Sequence, residues 1–168
     1  MPEAWLNGPV DGIAPVFQPV AHAFVQASDD VRQLAPAMTA EDLWRDPGGG
    51  TAPAGFHLLH LVNAMDRLLT YARGEPLSAD QMATLRVEAG PQPDLDGAAL
   101  AAHVDAAIAR ALDQVRGTDP DTIFDARRVG RSGLPSTVLG LLFHAAEHTT
   151  RHVGQFITTS KIVSTSNT

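Results

Sequence analysis

Residues 55–78 read GFHLLHLVNAMDRLLTYARGEPLS. Leu61, Met65, Leu68 and Leu69 stand at i, i+4, i+7 and i+8, the spacing of one apolar helix face. The spacing predicts a helix from about Pro53 to Arg73. Gly74 sits where such a helix needs a left-handed terminal residue, and Pro76 prevents its continuation. Ser78 and Gln81 form an S-x-x-Q capping box, which opens a minor helix reaching about Val87.

Upstream, Ile13, Val16, Phe17, Val20, Phe24, Val31 and Leu34 predict an amphipathic helix from about Val10 to Leu34. Pro15 and Pro19 loosen or bend its first turns. MTAEDLW, residues 38–44, reads as a short helical turn with Thr39 as N-cap. RDPGGGTAPAG, residues 45–55, is a loop by composition. Downstream, residues 88–97 form a linker, and Asp96 is placed to cap a third long helix carrying Leu100, Val104, Ile108, Ala111, Leu112 and Val115. Residues 117–136 carry turn signals with one or two extended pieces at most. Pro135 is then expected near the first turn of a last helix, about Ser136 to Lys161, followed by a polar tail over about 163–168.

Four long helices without a strand ladder predict an all-α four-helix bundle, one domain over residues 1–168. Helices joined as simple up-down neighbours use loops of about 2–8 residues. The stretch between the second and third long helices is about twenty residues with its own helix, so a long crossover is expected there.

Composition narrows the function. The chain has 168 residues, 44% of them apolar, so it can bury a core without covalent staples. It has no cysteine, which excludes disulfides, thiolate metal sites and a cysteine nucleophile. The net charge is −7, and the cations are eleven arginines plus Lys161 without a cluster. Nucleic acid is therefore not an expected partner. Neither a signal peptide nor an apolar run of about 20 residues is visible, so no membrane role and a cytoplasmic location are expected.

The chemistry lies in the histidines. Residues 144–155 read HAAEHTTRHVGQ, with His144, His148 and His152 at four-residue steps. On a helix, residues four apart lie about 40° apart around the axis. His148 and His152 can thus face one point, as paired helical histidines do when they chelate a metal. His144 lies a further turn back, beyond reach of the same ion. The helix at 55–78 offers His57 and His60, three apart on a nearly continuous apolar segment. At least one must face inward with a partner, and either can complete the set. Plain packing accounts for the same spacing, since H-x-x-x-H also occurs on ordinary helices. His22 and His103 are isolated and read as structural.

These two segments resemble the DinB/YfiT-like superfamily of bacterial metal-binding four-helix bundles. GFHLLHLVNAMDRLLTYARGEPLS looks like the family's second helix, and HAAEHTTRHVGQ like its last-helix pattern ending H-x-x-x-H-x-G-Q. The likeness in order and length spans nearly the whole chain. It implies a metal held by His60, His148 and His152, with His144 and His57 as neighbours of the ligands. Arg151 and Val153 depart from the histidine and arginine that many relatives carry there.

Three neutral imidazoles leave a coordination position open, as catalytic sites do. Nitrogen ligands suit one divalent ion, zinc or nickel first, with iron, cobalt or manganese as alternatives. The resemblance implies a metal-dependent transferase or hydrolase that activates water or an external low-molecular-weight thiol. Its partners are then a small-molecule substrate or thiol and, as often in the family, a second copy in a homodimer. Asn63, one turn beyond His60, is placed to orient a water or ligand. Glu147 is expected to face solvent. The rival expectation is a non-catalytic metal-binding stress-response bundle, and a DNA-associated role ranks last.

Overall fold

The computed structural model describes residues 2–87, 90–92 and 94–165. Helix α1 spans Gln18–Leu34, α2 Ala40–Trp44, α3 Ala54–Ala72, α4 Ala79–Val87 and α5 Gly97–Gly117. A hairpin, β1 Ala126–Val129 with β2 Leu134–Thr137, leads into α6, Val138–Thr165.

The capping signals operate as the sequence predicts. The Thr39 hydroxyl accepts from the Asp42 N–H at the start of α2. At α4, Ser78 and Gln81 exchange reciprocal bonds of 2.9 and 3.1 Å. Gly74 closes α3 with φ +81°, a conformation that side chains rarely adopt. Asp96 accepts from Ala99 N–H at 2.8 Å. Replacing Asp96 by alanine orphans that donor and is expected to cost about 1 kcal/mol. The check is a lower urea midpoint with an unchanged m-value.

Three helix boundaries differ from expectation. The first helix begins at Gln18, not near Val10, and a 3-10 turn at Pro15–Phe17 leads directly into it. A helix from Val10 would place Pro15 and Pro19 in its interior, where each deletes a backbone bond. Gln18 instead gathers the upstream chain, accepting from Val10 N–H at 2.7 Å and donating to the carbonyls of Val10 and Ile13.

The last helix begins at Val138, and Pro135 lies in β2 opposite Arg128 rather than in a helical turn. The first α6 donors are satisfied from outside the helix. Val138 N–H bonds the Asp125 carbonyl, Leu139 N–H the Ile123 carbonyl, and Gly140 N–H the Thr137 hydroxyl. At the other end α6 continues through Thr165 with Val163 only 1% exposed, so residues 163–165 are helix and not tail. Residues 166–168, and residues 88, 89 and 93 of the predicted linker, lie outside the described residues.

The four long helices are α1, α3, α5 and α6, and both α1 and α3 pack against α5 and α6. Cross-links fix their directions. The start of α5 meets the end of α1 through Gly97 N–H to the Met38 carbonyl, 3.1 Å. The other end of α5 returns Arg116 to the Asp11 carbonyl, 3.3 Å, so α1 and α5 are antiparallel. Gln114, late in α5, bonds the Leu69 carbonyl, late in α3, so α3 and α5 run parallel. The bundle is up-down-down-up. Segment 73–96 therefore travels back along α3, whose 19 residues span about 28 Å; this is the crossover.

The interior is filled by Phe17, Phe24, Leu58, Leu61, Phe156 and Leu142, all essentially inaccessible. Among the described residues no helix is long and apolar enough to cross a membrane.

Candidate metal centre

Helices α3 and α6 bring their histidines into register. His57 faces His152 with ring centroids 5.4 Å apart, and His60 faces His148 at 5.2 Å. Three residues forward on α3 correspond to four back on α6, as antiparallel helices require. His60 and His152 lie 4.6 Å apart, and His148 and His152 4.5 Å. One ring nitrogen from each of His60, His148 and His152 lies within 4.8 Å of the other two. Phe56 stacks on the His60 ring at 5.3 Å and 15°, which fixes one face of it.

These rings are half-buried, while His57 is buried. Burial, and then the neighbouring imidazoles, push the His148 and His152 pKa values down from 6.5 to about 4. Burial and His60 also lower that of His57, against an opposing hydrogen bond with the Ala52 backbone. His148 and His152 hence favour the neutral form that can bind a metal.

The same shifts predict a pH effect on the metal-free protein. The unfolded chain takes up protons near 6.5, whereas folded His148 and His152 resist until about 4. Between those values the unfolded state binds more protons, so acid favours unfolding. Stability from these rings is fully present above about 6.5 and is lost as the pH falls towards about 4. Urea midpoints of metal-free wild type and His148→Gln at pH 7 and 5 check this; the variant should lose less on acidification.

His144 lies outside the three-nitrogen group. Its ring meets His148 edge-on at 5.6 Å, and its Nδ1 lies 3.2 Å from Glu147. Glu147 is also ion-paired with Arg151, whose guanidinium holds the carboxyl below its usual range. Arg151 is one of the two residues, with Val153, at which the sequence departs from the pattern it resembles. Asn63 lines a separate cavity of about 130 Å³ with Asp66, Asp80 and Gln81, and its buried Nδ2 lacks a partner among the described residues.

A groove of about 640 Å³ runs along α6 beside His57 and His152, with Thr51, Arg151, Gln155 and Thr158 on its walls. No local signal in the sequence marks this groove, because the loop carrying Thr51 meets α6 only in three dimensions.

The DinB superfamily model matches residues 23–156. The chain belongs to the DinB superfamily. No curated protein matches it. Among solved structures, a conserved protein from Enterococcus faecalis shares 16% identity at a TM-score of 0.73, covering 89% of this chain and 98% of that one. A candidate member of the DinB family from Exiguobacterium sibiricum 255-15 shares 18% at a TM-score of 0.62, covering 94% and 95%. At these identities the likeness establishes the bundle fold of this DinB chain and nothing finer.

The residues present in this DinB chain fit a divalent ion. Three imidazole nitrogens from two helices converge, and the group holds no carboxylate among the described residues. Tetrahedral zinc with bonds of about 2.0–2.1 Å places its nitrogens roughly 3.4 Å apart. The ring nitrogens, within 4.8 Å of one another, need to close by at most roughly 1.4 Å to reach that spacing.

Proposed function

We propose that this DinB protein is a metal-dependent enzyme holding one divalent ion at His60, His148 and His152, with His144 and His57 around the ligands. Zinc or nickel comes first, with iron, cobalt or manganese as alternatives. The observation that carries the reading is the convergence of three ring nitrogens, with His152 among them lining a groove. Such an ion supplies Lewis acidity that favours the deprotonated form of a water or thiol.

The chain's own residues do the rest. Phe56 and the helix packing orient the rings, while Thr51, Gln155 and Thr158 offer hydrogen bonds to a small molecule in the groove. Without cysteine in the chain, any thiol must be a separate low-molecular-weight compound. A cytoplasmic homodimer is part of the same proposal.

One observation favours a second reading, a non-catalytic metal-binding bundle. Glu147, the carboxylate nearest the ligands in sequence, is tied to His144 and Arg151 and is not poised as a base. A DNA-associated role is disfavoured by the net charge of −7.

Elemental analysis of untagged protein should find about one divalent ion per chain, followed by thiol-transfer and hydrolysis screens with that ion loaded. Metal without turnover selects the second reading; less than a tenth of an ion per chain defeats both. Chelation is expected to lower the melting temperature by about 5–10 °C if the ion is near 100-fold above its Kd. Scanning calorimetry with and without chelator measures it.

A further inference from the structure

His57, like His144, stands outside the three-nitrogen group, yet it is the buried ring of the cluster, at 5% exposure. Its Nδ1 stands 3.2 Å from Nδ1 of His152. Two imidazole nitrogens at that distance share one proton, so one donates and the other accepts. The direction matters, because a neutral imidazole carries one N–H and one lone pair.

We propose that His57 is a positioning residue whose Nδ1 accepts the Nδ1–H of His152, leaving the Nε2 lone pair of His152 for the space shared with His60 and His148. The opposite direction would place the His152 proton on Nε2, where a ligand needs its lone pair. With Nδ1 accepting, the proton of His57 belongs on Nε2, and the Ala52 backbone is hydrogen-bonded to the same ring. Phe56 meets the His57 ring edge-on at 5.6 Å and 73°, which limits its rotation. Histidine ligands commonly depend on such an outer partner for tautomer and orientation. This rests on the reading of His152 as a ligand.

Zinc alone is the probe, with affinity measured by chelator competition in the full chain. His57→Ala is expected to weaken zinc binding about 10–100-fold without changing the stoichiometry. His57→Asn keeps an acceptor at the Nδ1 position and should recover most of the affinity. His57→Gln places its polar atoms nearer the Nε2 position and should not. Long-range ¹H–¹⁵N spectra should show His152 protonated at Nδ1 and His57 at Nε2, both metal-free and with zinc.

Wild-type affinity in His57→Ala, equal rescue by His57→Gln, or a His152 proton on Nε2 overturns the proposal. Should His57→Ala fail to fold, His57→Asn and the wild-type spectra decide. If wild type takes up no zinc, the metal reading fails, while the metal-free spectra still decide the direction of the bond.

Discussion

His152→Ala is expected to abolish stoichiometric metal binding. His152 is the hub of the cluster, with centroids 4.6 Å from His60 and 4.5 Å from His148. Removing it leaves two imidazoles, and an ion bound through two protein ligands is readily lost to buffer. Apparent binding free energies of about 10–16 kcal/mol for four-ligand zinc sites imply a loss on the order of 10²–10³-fold per ligand. His148→Ala should behave alike. The half-buried rings lie at the edge of the α3–α6 contact, so helix content by circular dichroism should persist in both. Full metal content after dialysis in either variant excludes the ligand assignment.

The largest effect on folding is expected at Gly97→Ala. An added Cβ there would lie 1.7 Å from the Ala35 carbonyl oxygen and 2.9 Å from that of Met38. Both are backbone atoms, so no side-chain rotation relieves the overlap. The Gly97 N–H also donates to the Met38 carbonyl, which docks the start of α5 on the chain leaving α1. Overpacking in a tight interior commonly costs about 1–3 kcal/mol, and a backbone clash that breaks a docking bond should exceed about 3 kcal/mol. Chemical denaturation of Gly97→Ala beside Gly117→Ala, a helical site with nothing within 4 Å of the added atom, measures the difference. A small, equal effect at both sites would mean that α5 does not dock there.

These two sites differ in how far the sequence discloses them. Helix faces and caps depend on neighbours within one or two turns, so Thr39, Gly74, Ser78 and Asp96 could be read locally. The proline-rich start of α1 could not, because periodicity continues through Ile13, Val16 and Phe17 although Gln18 binds Val10 and Ile13 as loop and Val16 and Phe17 form a 3-10 turn. The start of α6 depends on carbonyls at positions 123 and 125, reached across a hairpin. The clash at Gly97 involves residues about sixty positions earlier in the chain, beyond any local signal.

The histidine cluster was partly legible. Spacing indicated that His148 and His152 share a face, but His57 and His60 were alternatives until the family resemblance favoured His60. The structure brings His60, His148 and His152 together and places His57 behind His152. An antiparallel pairing of the two helices would have suggested that partnership, since 57 opposes 152 whenever 60 opposes 148. Asn63 shows the limit of sequence spacing. One turn beyond His60, it lines a cavity facing α4.

Anomalous diffraction from crystals of the metal-loaded, untagged protein tests the central claim most directly. The account predicts one strong peak per chain, about 2.0–2.2 Å from a ring nitrogen of each of His60, His148 and His152, with at least one position left to solvent. A peak elsewhere, or protein side chains filling every coordination position, would contradict it.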